Sequence, residues 1–187
     1  MASVGQTITN PVAGDSVTFL EVPGGATTRL VLEMTTVPGG HGPPEHIHPH
    51  SSEEFAVLSG SLLVREAGED HVVAAGEKYV VPAGAVHNFG SYGDVAAVTR
   101  VSFDRPGRMG DFLETFYELS RAGLTDAEGK PSMQQIAVTC SQLKDDLRTV
   151  VAPWPAQLAL FAVLAPVGRR RGLKPFYASG ELASLDD

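Results

Sequence analysis

The sequence predicts a mainly β barrel or sandwich over residues 1–105, followed by a helical extension over residues 106–187. Three observations carry this. Before residue 105, short runs rich in Val, Thr, Phe and Leu recur about every 8–12 residues and are closed by Gly or Pro. After residue 106 the apolar residues follow the helical period instead. The charge divides at the same place: residues 1–105 carry five basic and twelve acidic side chains, and residues 106–187 carry nine and ten.

The expected strands are residues 16–22, 28–37, 55–60, 61–66, 71–74, 78–82 and 95–103, with breakers such as PGGHGPP (38–44) and PAG (82–84) between them. No βαβ alternation interrupts them, so a jelly roll, sandwich or closed barrel is expected. In the second part, Met109, Phe112, Leu113, Phe116 and Tyr117 recur at helical spacing and Gly123 supplies a stop. Ser132 and Gln135 fit a capping box, followed by Met133, Ile136, Ala137 and Cys140 on one face. Residues 155–164 are apolar all round, which predicts a buried helix, with Gly168 and Arg169–Arg171 at its C-terminal end. The termini, 1–10 and 181–187, are expected to be mobile.

With 187 residues and 43% hydrophobic content the chain can bury a core as one domain with an appendage. A net charge of -8 argues against a phosphate backbone as partner, so no nucleic acid is expected. The single cysteine, Cys140, excludes an internal disulfide framework and a cysteine-only metal site. The stretch AQLALFAVLA (156–165) is half the ~20 residues a membrane span needs, and no basic, apolar leader opens the sequence. A cytoplasmic protein with no membrane partner is the expectation.

Four of the six histidines fall within ten residues: His41, His46, His48 and His50. In an extended chain His46 and His48 share one face, so their imidazoles can converge on one cation. Glu53 follows after a short turn and offers a hard oxygen ligand, while Glu54 is out of phase and points the other way. His87, presented by the PAG turn, is the best candidate for a fourth ligand. Imidazole nitrogens with one carboxylate suit a divalent first-row metal, and four protein ligands leave positions open on a six-coordinate ion. Pro49 disturbs the alternation, so His50 is read as a rim residue that helps position substrate. His41 reads as solvated in its Gly/Pro loop, and His71 as a surface residue beside Asp70. The aromatic stripe Phe112, Phe116 and Tyr117 reads as packing.

These residues resemble the two motifs of the cupin superfamily. Gly40, His46, His48, Glu53 and Gly60 satisfy every interval of the first motif. Gly76, Pro82, Gly84 and His87 match the second, whose final Asn is here Ser91. The resemblance implies a cupin jelly-roll barrel with one divalent transition metal (Fe, Mn, Ni, Cu or Zn) held by His46, His48, Glu53 and His87. It also implies homodimerisation and a small-molecule substrate. The leading expectation is a metal-dependent dioxygenase with Glu53 and His50 as its catalytic residues, Glu53 taking up a proton. The alternatives are a non-redox isomerase or cyclase and a non-catalytic ligand-binding barrel.

Overall fold

Period-two alternation builds the sheets. In β2 (Ser16–Glu21), the fully buried Val17 and Phe19 alternate with the half-buried Ser16, Thr18 and Leu20. The computed structural model describes residues 2–24, 27–39 and 42–182. One sheet runs, in spatial order, β1 (Thr7–Thr9), β2, β3 (Leu30–Thr36), β10 (Ala97–Phe103), β5 (Glu53–Ser59) and β8 (Lys78–Val81). The other runs β11 (Arg148–Thr149), β4 (His46–Ile47), β9 (His87–Ser91), β6 (Ser61–Glu66) and β7 (Glu69–Ala74). The paired strands are antiparallel, and the chain crosses between sheets at β3–β4, β4–β5, β5–β6, β7–β8, β8–β9, β9–β10 and, through the first two helices, β10–β11. This is a jelly roll. Between the sheets, Phe19, Leu32, Phe55, Leu62, Val64 and Val101 are all at most 2% exposed. Each such side chain stabilises the fold by about 1.5–3 kcal/mol relative to exposure.

Three helices follow: α1 (Met109–Arg121), α2 (Met133–Cys140) and α3 (Trp154–Arg170). Met109 and Tyr117 of α1 enter the barrel's own core cluster, with Phe112 and Leu113 against it. Gly123, at φ +65°, stops α1 as expected, and Leu124 N–H closes back on the Leu119 carbonyl. Ser132 caps α2 by accepting from Gln135 N–H at 3.2 Å. Only half of the capping box forms, because the buried Gln135 side chain turns away from Ser132: its Oε1 lies 3.5 Å from the Tyr177 hydroxyl and its Nε2 donates to Thr139 Oγ1 and the Lys174 carbonyl.

Several expectations are corrected. Thr7–Thr9 is not a loose end but pairs with β2, and Ile8 is buried in the core. Residues 183–187 lie outside the described residues, as do Gly40 and His41. Met133 is exposed rather than on the packed face of α2. The largest correction concerns α3, which is not buried all round. Its only polar residue before Arg169, Gln157, is buried and donates to the Thr149 and Ala152 carbonyls, while Leu158, Leu160 and Val163 face outward. Gly168 lies on the buried side, where a Cβ would meet Val138 Cγ2 at 2.6 Å, so its bare backbone lets α3 seat closely on α2. Among the described residues, no helix is long and apolar enough to cross a membrane.

Cys140, at the end of α2, is mostly enclosed, and burial pushes its thiol up to about 11. The thiolate is the reactive form, so at pH 8 its alkylation is expected to run about 100-fold slower than after unfolding in urea. A thiol-reagent time course checks this; equal rates would mean that the packing around α2 is wrong.

Candidate metal centre

Two of the strands that carry the site, β4 (His46–Ile47) and β9 (His87–Ser91), have no counterpart among the strands that hydrophobic patterning predicts. β4 is two residues long, and in β9 the inward position at its start is a histidine. His46 and His87 face each other across the β4–β9 pair. Glu53 opens β5 in the opposite sheet, in register with Val81 and Phe103. His48 follows β4, and its backbone carbonyl accepts from Gly84 N–H in the PAG turn that leads to His87. The turn before Glu53 is clamped by Asp104, whose carboxylate accepts from Ser51 Oγ at 3.0 Å and Ser52 N–H at 2.8 Å.

The four expected ligands meet. One donor atom from each of His46, His48, Glu53 and His87 lies within 4.8 Å of the others, and all four side chains are at most 5% exposed. Each ring is held from behind by a backbone carbonyl. His46 Nδ1 donates to Pro44 O at 2.9 Å, His87 Nδ1 to Ala85 O at 3.2 Å, and His48 Nδ1 to Asp146 O at 2.9 Å. A carbonyl only accepts, so each Nδ1 carries hydrogen and Nε2 is the atom left for coordination. His87 Nε2 and His48 Nε2 stand 2.8 Å and 3.4 Å from the same oxygen, Glu53 Oε2. Carboxylate oxygen and bare imidazole nitrogen are both acceptors, so their approach requires positive charge between them: a proton or a cation. This donor set fits one divalent metal ion.

The electrostatics agree. Burial alone would raise Glu53, but the hydrogen bonds and charges of His48 and His87 outweigh it and hold its carboxyl at about 2. Burial, then repulsion from His87, lowers His46 to about 4, so this ring stays neutral and available as a ligand at physiological pH. Burial works against the charged form of His48 too, yet its hydrogen bond and attraction to Glu53 prevail and raise it.

Other assignments divide. Glu54 points outward and pairs with Lys78 at 3.2 Å, as its phase predicts. His71 stacks on Tyr79 with ring centroids 4.6 Å apart, well away from the cluster. His50 sits exposed in the bend after Pro49, outside the four clustered residues. Phe103 packs edge-on against His48 at 5.2 Å and Phe55 lies 4.9 Å from Phe89, which makes the surroundings of the cluster apolar. Sequence reasoning missed Asp104 and Asp146. Neither belongs to a local pattern, and each reaches the site only through the tertiary fold.

Two facing antiparallel sheets with a buried group of three histidines and one carboxylate between them define a small barrel suited to a metal centre. Residues 32–102 match the family described as Cupin domain. Among curated relatives, oxalate oxidase 1 of Hordeum vulgare is 39% identical over 105 residues, covering 49% of this chain and 51% of that protein. Germin-like protein 3-3 of Oryza sativa subsp. japonica is 37% identical over 117 residues, covering 56% and 50%. The chain thus spans about half the length of the curated relatives it matches. A solved sugar phosphate isomerase of the cupin superfamily from Silicibacter pomeroyi is similar at 23% identity and a TM-score of 0.48, over 54% of this chain and 71% of that one. The barrel, over residues 32–102, is a cupin domain.

Proposed function

We propose that the protein is a metal-dependent oxidoreductase of dioxygenase type, acting on a small organic substrate at the His46, His48, Glu53 and His87 centre. The observation that carries this reading is the set of three imidazoles, each anchored at Nδ1, with His48 and His87 turning Nε2 onto one buried carboxylate. The oxalate oxidases among the relatives support oxidation chemistry over the other cupin activities. A bound first-row divalent ion would supply Lewis acidity and, in a redox-active form, electron transfer to dioxygen. The chain's own contribution is positional and protic. The backbone carbonyls at Pro44, Ala85 and Asp146 fix the ring orientations, and Phe103 keeps water from the His48 edge. Glu53 would accept the proton of a bound enol or acid at Oε2, which lies 2.8 Å from His87 Nε2.

Protein purified without a chelator or a His tag is expected to hold close to one equivalent of Fe, Mn, Ni or Cu by elemental analysis. With a panel of small dicarboxylates, enediols and catechols, it is expected to consume dioxygen in step with substrate loss. Turnover that is equal with and without dioxygen would move the protein to the isomerase or cyclase class. No uptake by fully metallated protein across the panel would overturn the proposal.

A further inference from the structure

Two of the three ring tethers are local, since His46 and His87 each donate to the carbonyl two residues earlier in the chain. The tether of His48 is not: its carbonyl comes from Asp146, 98 residues away in the helical extension. That carbonyl is held firmly. Leu143 and Leu147 flank it and belong to the barrel's core cluster, at 0% and 9% exposed. Asp146 N–H and Leu147 N–H both close on the Leu143 carbonyl at 2.8 Å, making a tight turn. Immediately after it, Arg148 and Thr149 form β11, which pairs with Ile47 and His46 of β4. The Asp146 side chain accepts from Arg108 N–H at 3.1 Å, just before α1. It lies so close to Gly107, itself at φ +50°, that a Cβ there would collide with the carboxylate.

We propose that the extension completes the metal centre, with Asp146 as a positioning residue. Its main-chain carbonyl sets the tautomer and angle of His48, and its carboxylate, bonded to Arg108 N–H in the space that the bare Gly107 leaves, keeps that carbonyl in place. The barrel motifs alone supply four ligands but orient only two of the three rings. The proposal rests on the metal reading above, so its test carries one readout that needs no metal.

Three full-length proteins are compared: wild type, Asp146→Ala and Asp146→Asn. The first readout is long-range ¹H–¹⁵N NMR of the histidine rings without added metal. Wild type is expected to show His48 in the Nδ1–H form, protected from exchange. Asp146→Ala should lose that protection at His48 alone, leaving His46 and His87 as they were. The second readout is Mn²⁺ affinity by calorimetry, where Asp146→Ala is expected to bind about 10–100-fold more weakly, the usual effect of losing an outer partner of a ligand. Asp146→Asn, whose side-chain oxygen can still accept from Arg108 N–H, is expected to restore both. Should Asp146→Ala fail to fold, Gly107→Ala displaces the carboxylate without removing it and should reproduce the same His48-specific change. Unchanged His48 resonances and unchanged affinity in the folded alanine variant would overturn the proposal. So would equal disturbance of all three rings, which would mean general loosening. A His48-specific change in a wild-type background that binds no metal would support the positioning role and overturn the metal reading instead.

Discussion

Replacing His87 by alanine is expected to leave the protein without stoichiometric metal while the barrel stays folded. His87 is 1% exposed, opposes His46 across the β4–β9 pair and approaches Glu53 Oε2 at 2.8 Å. A complete four-ligand site binds with about 10–16 kcal/mol, so one ligand's share is about 3 kcal/mol, or roughly 10²-fold in affinity. Removing the ring also leaves the buried Glu53 carboxylate facing His48 alone, at 3.4 Å. Elemental analysis beside His50→Ala is the sharp comparison, because His50 is exposed and not among the clustered residues. Metal lost in His87→Ala and kept in His50→Ala is the expected result. Metal retained by His87→Ala would dismantle the four-residue centre.

The second large effect concerns Phe55, two residues beyond Glu53 on the same face of β5. Phe55 is fully buried, and its ring stands 4.9 Å from that of Phe89. Phe55→Ala should cost about 3–5 kcal/mol through lost transfer energy and the cavity left behind. Against a native stability of about 5–15 kcal/mol, that is a large fraction. Urea unfolding is expected to show the midpoint fall with little change in slope. Metal content should persist, because Phe55 supplies no donor atom. A loss below about 1 kcal/mol would mean that the space between the sheets is not filled as described.

The fold was largely legible where alternation was apolar. The expected strand 61–66 coincides with β6, and 78–82 and 95–103 differ from β8 and β10 by one or two residues. It was illegible where alternation served the site. In β4 and β9 the inward positions hold His46 and His87 rather than Val or Leu, so hydrophobic period could not reveal them as strands. The same residues were readable by another route, because imidazoles two apart and a carboxylate five further on form a chemical pattern. α3 failed in the opposite sense: apart from Gln157 it is apolar as far as Gly168, and only tertiary packing decides which side is covered. β11 is two residues long and its partner lies about 100 positions upstream, so no local signal announces it.

The long separation between His48 and its tether has a consequence for the order in which the protein is made. All four ligands have been synthesised once residue 87 is added, but the turn at Asp146 and the strand after it are complete only at residue 149. At about 5–20 residues per second, roughly 3–12 s of synthesis separate the two. Through that interval only the local tethers of His46 and His87 have been made, and that of His48 has not. The turn at Asp146 and β11, made after all four ligands, therefore decide when the centre assumes its final shape.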